Sequence, residues 1–106
     1  MTHKSKLTTS IVRQALATVI DPELQIDIVS LGLIYDVKVE KNSKVIIRMT
    51  LTTPGCPLAS VIEQMVRESL FNLVEDIDHD VIINLTFDPP WLTDMMSEEA
   101  RLELGL

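Results

Sequence analysis

One cysteine stands in this chain of 106 residues, and its neighbours make it a candidate reactive thiol. It lies in Thr52-Thr53-Pro54-Gly55-Cys56-Pro57. A run of strand formers, Val45-Ile46-Ile47-Arg48-Met49-Thr50-Leu51, leads in. An apolar-periodic segment from Leu58 to about Leu73 leads out as a helix. Pro54-Gly55 forces a turn, and Pro57 suits a first helical position, where its missing N–H costs nothing. This places Cys56 at or next to the N-cap. Orphan N–H groups and the positive end of the helix dipole stabilise a thiolate there and lower its pKa below the usual ~8.5. The competing reading is a small buried hydrophobe, a common fate of free cysteine. Thr52 and Thr53 offer hydroxyls to a thiolate or a ligand. They serve equally well as strand-end residues of good β propensity.

The acids form a second group. Asp21-Pro22-Glu23 sets two carboxylates on either side of a proline that stiffens the chain. Such a pair can bind a hard cation or act as an acid–base couple, and nearby negative charge would oppose the thiol's acidity. As a plain helix stop, the pair would leave both charges solvated. Asp27 and Ser30 continue the same loop. His3 lies near the terminus, and His79 sits in Asp76-Ile77-Asp78-His79-Asp80, which reads as a surface turn, so a Cys–His hydrolase is disfavoured. With no Cys-x-x-Cys and no His pair, one chain builds neither a structural zinc site nor a four-thiolate cluster site. One thiolate with Asp21 or Glu23 makes a labile, incomplete site. A homodimer would offer two thiolates across its axis.

The elements that must position these groups follow from periodicity. Thr8 or Thr9 caps a first helix to about Ile20, with Ile11, Val12, Ala15, Leu16, Val19 and Ile20 at helical spacing; Asp21-Pro22 ends it. Leu33 to Glu40 alternates as a strand with Leu33, Tyr35, Val37 and Val39 on one side. Gly32 before it suggests a close backbone approach or a positive φ, and Asp36, opposite the apolar side, reads as solvated. Lys41-Asn42-Ser43 turns into a second strand, Lys44 to Leu51, completing a hairpin. The second helix carries Leu58, Ile62, Met65, Val66, Ser69 and Leu73 along one stripe. Val81 to Phe87 is a third strand, broken by Asp88-Pro89-Pro90-Trp91. Trp91 reads as an anchor and Met95-Met96 as gap fillers. Ser97 caps a last helix, Glu98 to about Leu104, with two acids in its first turn. The order α-β-β-α-β-α predicts an α+β, two-layer fold with helices on a small mixed three-stranded sheet.

Length and composition bound the rest. The chain suits one domain, 1–106, with its core about 8–104. At 46% hydrophobic and 24% charged it is an ordinary globular composition. A formal charge of −7 repels phosphate backbones, so no nucleic-acid partner is expected. No apolar run reaches membrane-spanning length and no secretory signal is recognisable, so no membrane association is expected. A single cysteine fits a reducing, cytoplasmic setting.

Four motifs in order give a resemblance. They are Asp21-Pro22-Glu23-Leu24, Ser30-Leu31-Gly32-Leu33-Ile34-Tyr35-Asp36-Val37, Thr52-Thr53-Pro54-Gly55-Cys56-Pro57 and Asp88-Pro89-Pro90-Trp91. Together, from about Ser10 to Leu104, they resemble the domain-of-unknown-function fifty-nine family, also called MIP-eighteen-like. That family includes SufT-type metal–sulfur cluster assembly factors and the PaaD subunit of phenylacetate degradation. The resemblance implies a compact α/β domain that helps mature iron–sulfur proteins. It implies that Cys56 is the reactive residue, with Asp21, Glu23 and Thr52 near it; Asp27, Ser30 and Thr53 complete the expected lining. Where many members carry an asparagine before the Leu-Gly-Leu segment, this chain reads Asp27-Ile28-Val29-Ser30. PaaD-type proteins usually add a cysteine-rich C-terminal segment, so a free-standing SufT-like factor is the better match.

The expected mechanism is non-enzymatic. Cys56 would ligate iron or a cluster edge transiently, with no tightly bound cofactor, and hand its cargo on. Partners would be iron–sulfur assembly proteins and apo-clients. The alternatives are a protein-interaction adaptor with a structural cysteine, a PaaD-like accessory protein for a metalloenzyme, and a thiol enzyme.

Overall fold

Along Val45–Met49 the side chains alternate. Val45, Ile47 and Met49 are fully buried, while Arg48 is exposed. Such a strand has one face for a core and one for solvent. The computed structural model describes residues 7–53 and 57–106. In it this strand, β2, lies between β1 (Ile34–Val39) and β3 (Val81–Leu85). β1 pairs antiparallel with it and β3 parallel, Val45 opposite Val81 through Met49 opposite Leu85. The helices are α1 (Thr9–Leu16), α2 (Ala59–Ser69) and α3 (Glu98–Glu103), with a 3-10 turn at Thr93–Met95. The order and the two-layer α+β class are those expected from the sequence. Val12 and Leu16 of α1, Ile62 and Val66 of α2, and the buried side chains of β2 form one core with Ile28, Leu31 and Leu33.

The apolar stripes explain the helices, and their ends show where the sequence misleads. Thr8 caps α1 by accepting from the Ile11 N–H at 3.1 Å. The helix was expected to reach about Ile20 but stops at Leu16. Thr18, Val19 and Ile20 are β-branched and stiff at χ1. The backbone from Val19 to Asp21 instead pairs with the returning loop: Ile28 N–H donates to the Val19 carbonyl, and Asp21 N–H to that of Ile26. Ile20, expected on the apolar stripe, is 41% exposed.

Strict alternation also fails in β1. Ile34 faces Met49 and Asp36 faces Arg48, so Tyr35 is the extra residue of a bulge. Its ring lies under the Arg48 guanidinium, 5.5 Å from the centroid, and its hydroxyl donates to the Pro89 carbonyl at 2.7 Å. Tyr35 is therefore tied to the segment after β3 rather than aligned with Leu33 and Val37. α2 ends at Ser69 rather than at about Leu73, and its C-cap Leu70 is fully buried beside the expected stripe. Ser69 instead turns its hydroxyl to the Val66 carbonyl.

Ser97 caps α3 as expected, accepting from Ala100 N–H at 3.1 Å. Gly32 has φ +80, and a Cβ there would lie 2.2 Å from the Met95 carbonyl oxygen. The sequence suggested a positive φ or a close backbone approach at this glycine; both occur.

Candidate functional site

The Asp21 carboxylate is buried, 4% exposed, and its Oδ1 accepts from the N–H groups of Glu23 (2.7 Å) and Leu24 (3.0 Å). Gln25 takes a positive φ of 61 and donates its N–H to the Asp21 carbonyl. Pro22 limits the chain between them. The result is a tight turn that buries one acid and presents the next, since Glu23 is exposed. The two carboxylates thus have different work. Asp21 spends its oxygen on backbone, and Glu23 is open to a ligand.

Glu23 and Leu24 line a cleft of ≈ 480 Å³ with Thr52 and Thr53, Trp91 and Met96, and Leu104 and Leu106. Thr52 and Thr53 follow β2 and begin the cysteine-bearing hexapeptide. The expected lining residues Glu23, Thr52 and Thr53 are therefore brought together. Pro54, Gly55 and Cys56 lie outside the described residues, and with them the expected position of the thiol. The helix that follows takes Leu58 as its N-cap and Ala59 as its first residue. Pro57 therefore precedes the cap rather than opening the helix, and Cys56 is two positions before the cap in sequence.

Asp27 and Ser30 brace the cleft and are not among its lining residues. Asp27 Oδ2 accepts from Ser30 N–H at 2.9 Å, and the Ser30 carbonyl accepts from Ser97 N–H at 2.8 Å. The next carbonyl, of Leu31, accepts from Trp91 Nε1 at 2.7 Å. With the Gly32 approach to Met95, three consecutive residues sew the chain after β3 onto the loop before β1. Trp91 is the anchor expected, but its place in the cleft wall was not foreseen. Leu24, Met96, Leu104 and Leu106 were also missed as lining. The available signal was an indole N–H after two prolines, which needs an acceptor when buried.

Glu23 is the one charged side chain among the described lining residues, and Thr52 and Thr53 set two hydroxyls in an otherwise mostly apolar wall. Among the described residues, no group of three or more His, Cys, Asp or Glu side chains could hold a metal ion. The His79 turn lies apart from the cleft lining. His79 Nδ1 meets Asp80 Oδ1 at 2.9 Å. That hydrogen bond is the main reason the Asp80 carboxyl sits below its usual pKa of 3.8. Among the described residues, no helix is long and apolar enough to cross a membrane.

The family model described as iron–sulfur cluster assembly protein matches residues 10–81. The Fe-S protein maturation auxiliary factor YitW of Bacillus subtilis is 46% identical over 92 residues, covering 87% of this chain and 88% of its own. The auxiliary factor SufT of Staphylococcus aureus is 46% identical over 88 residues, 83% of this chain and 98% of its own. An iron–sulfur cluster carrier protein of Mycobacterium leprae is 33% identical over 90% of this chain but only 22% of its own length. The crystal structure of a domain of unknown function, DUF59, from Bacillus anthracis superposes with a TM-score of 0.83 at 39% identity, covering 92% of this chain and 91% of that one.

Proposed function

The chain belongs to the iron–sulfur cluster assembly protein family, and we propose that it is a non-enzymatic maturation factor whose working group is the Cys56 thiol. The observation that carries this is the meeting of Glu23 with Thr52 and Thr53 in one cleft, at the start of the cysteine-bearing hexapeptide. The names of its relatives, maturation auxiliary factor and cluster carrier, support the same role.

Cys56 loses its proton and binds iron, or one iron of a cluster, as a thiolate. The Glu23 carboxylate supplies an oxygen to the same cargo. The Thr52 and Thr53 hydroxyls donate hydrogen bonds to the thiolate sulfur or to bound sulfide. Asp21 acts through the backbone by holding Glu23 in place. A site with one thiolate and one carboxylate is open to ligand exchange, which transfer to an apo-client requires. Iron–sulfur assembly proteins and apo-clients are the partners of this reading, and the reducing cytoplasm is its setting.

The test is anaerobic titration with iron and sulfide, comparing the native chain with Cys56→Ser. A cysteine-dependent charge-transfer band is expected. A folded Cys56→Ser protein that restores iron–sulfur enzyme activities in cells lacking the native protein would remove the thiol from the mechanism. The apolar lining of Leu24, Trp91, Met96, Leu104 and Leu106 favours a second reading, an adaptor that grips a partner chain. On that reading Cys56→Ser keeps both partner binding and delivery; on the first it keeps binding and loses delivery.

A further inference from the structure

We propose that the open edge of β3 is a strand-addition site for a partner polypeptide, whose extended, apolar-alternating segment runs antiparallel to β3 and ends in lysine or arginine. Hydrogen bonds show which groups the edge offers. Val45 N–H donates to the Asp80 carbonyl, and Thr86 N–H to that of Met49. Residues of a parallel strand face its partner alternately, so Ile82 and Asn84 spend their backbone groups on β2. Val81, Ile83 and Leu85 turn theirs outward. The Val81 carbonyl is taken by Arg67 Nη1, which also holds the Ile77 carbonyl. β3 is the last strand of the sheet, and among the described residues nothing pairs with the outward groups of Ile83 and Leu85.

The two edges of the sheet are built differently. β1 carries Asp36 and Lys38 and is interrupted by the bulge at Tyr35, devices that deter a further strand. From Val81 to Phe87 the chain holds no charge and no proline, and Ile82, Leu85 and Phe87 are exposed. Val81, Ile83 and Leu85 share the face of Val45, Ile47 and Met49. A strand added beside them lays its own alternate apolar side chains against that row while its backbone takes the free edge.

Charge selects the occupant. Asp76, Asp78 and Asp80 precede the strand and Asp88 follows it. A second copy of the chain, itself at −7, would pair antiparallel with Ile83 opposite Leu85. That register sets Asp80 against Asp88 at both ends, and like charges directly opposite are destabilising. An antiparallel segment that ends in lysine or arginine instead brings its cations to Asp80 and the exposed Asp78. None of these residues belongs to the cysteine-bearing hexapeptide, so the edge binds whether or not Cys56 carries cargo.

The probe is the peptide acetyl-Val-Thr-Val-Thr-Val-Thr-Lys-Lys-amide, titrated at low salt into nitrogen-labelled protein and followed by NMR amide exchange. In the free protein the Ile83 and Leu85 amides should exchange faster than those of Ile82 and Asn84, and the peptide should slow them roughly tenfold. N-methylation of its second and third valines removes the donors that face Leu85 and Ile83 and should weaken binding roughly tenfold. Replacing its lysines by glutamates should weaken binding by roughly the same factor. Leu85→Pro deletes an outward N–H, leaves the ladder to β2 intact and should lose the peptide; if that variant does not fold, the N-methylated peptide reads the same bond on the native chain. Unslowed exchange at Ile83 and Leu85, or equal affinity for the N-methylated peptide, overturns the strand pairing. Equal affinity for the glutamate peptide overturns the choice of occupant. So does protection of Ile83 and Leu85 in the free protein that is lost on dilution, which would make the occupant a second copy.

Discussion

Asp21 and Asp76 each open an acidic loop, and each turns a carboxylate oxygen onto the N–H groups two and three residues ahead. At Asp21 the distances are 2.7 and 3.0 Å; at Asp76 they are 3.0 and 3.3 Å. The local device is the same, but the surroundings are not. Asp21 is buried, and its loop is sewn to the chain after β3 through Ser30, Leu31 and Gly32. Asp76 is exposed, and the His79 beside it has a side chain 72% exposed. An Asx turn therefore says where the chain bends and nothing about whether the bend builds a site. Long-range ties decide that.

The comparison breaks first at Gly32. Gly32→Ala would drive a Cβ to 2.2 Å from the Met95 carbonyl oxygen at a φ of +80. The expected loss is about 3 kcal/mol or more, read by urea denaturation. A loss below about 1 kcal/mol would mean that the seam yields easily. Asp21→Ala should cost roughly 2–3 kcal/mol, because two backbone N–H groups lose a charged acceptor in a buried turn. That corresponds to a fall in Tm of the order of 10 °C or more for a chain this size. Asp76→Ala, with matching local geometry in the open, should cost about 0.5 kcal/mol. Equal costs at the two aspartates would erase the distinction drawn here.

Trp91→Phe sharpens the same point. It keeps most of the ring but leaves the Leu31 carbonyl without its 2.7 Å donor. About 1–2 kcal/mol is expected, additive with Asp76→Ala and non-additive with Gly32→Ala in a double-mutant cycle. The smallest effect belongs to His79→Ala. Removing the hydrogen bond that depresses Asp80 should move that carboxyl's titration up toward 3.8, measured by carbon-detected NMR. The sign follows from linkage. A depressed carboxylate contributes stability above its unfolded pKa, and that contribution fades as pH falls through the folded value. The variant should therefore lose a little stability near neutrality and show a weaker acid dependence. An unmoved Asp80 titration would mean that His79 is a bystander.

What the sequence disclosed divides along the same line. Ser97, Thr8 and Gly32 were legible because capping and positive φ are local demands with few residues able to meet them. The strands and helices followed from alternation and helical spacing. The end of α1 was not legible, because Val19 and Ile20 fit a helical stripe until the returning Ile26 and Ile28 offer them pairing instead. Tyr35 looked like a member of an alternating strand, and only its pairing across β2 reveals the bulge. At the site, Glu23, Thr52 and Thr53 were named from residue chemistry and family resemblance. Trp91, Leu104 and Leu106 were hidden because contacts spanning half the chain leave no periodic trace.

The parallel pairing of β2 with β3 has a consequence for the order in which the molecule is built. β1 and β2 can zip as a hairpin soon after both exist, closing a short loop. β3 must wait until the whole crossover, the cysteine-bearing segment and α2 included, has swung back along the sheet. Loop closure of that span precedes any reward from the pairing it permits. Trp91, Leu104 and Leu106 lie beyond β3, so they reach Glu23 and Thr52 only when this late step is done. The cleft is thus finished last, and a chain whose sheet is incomplete has no finished pocket.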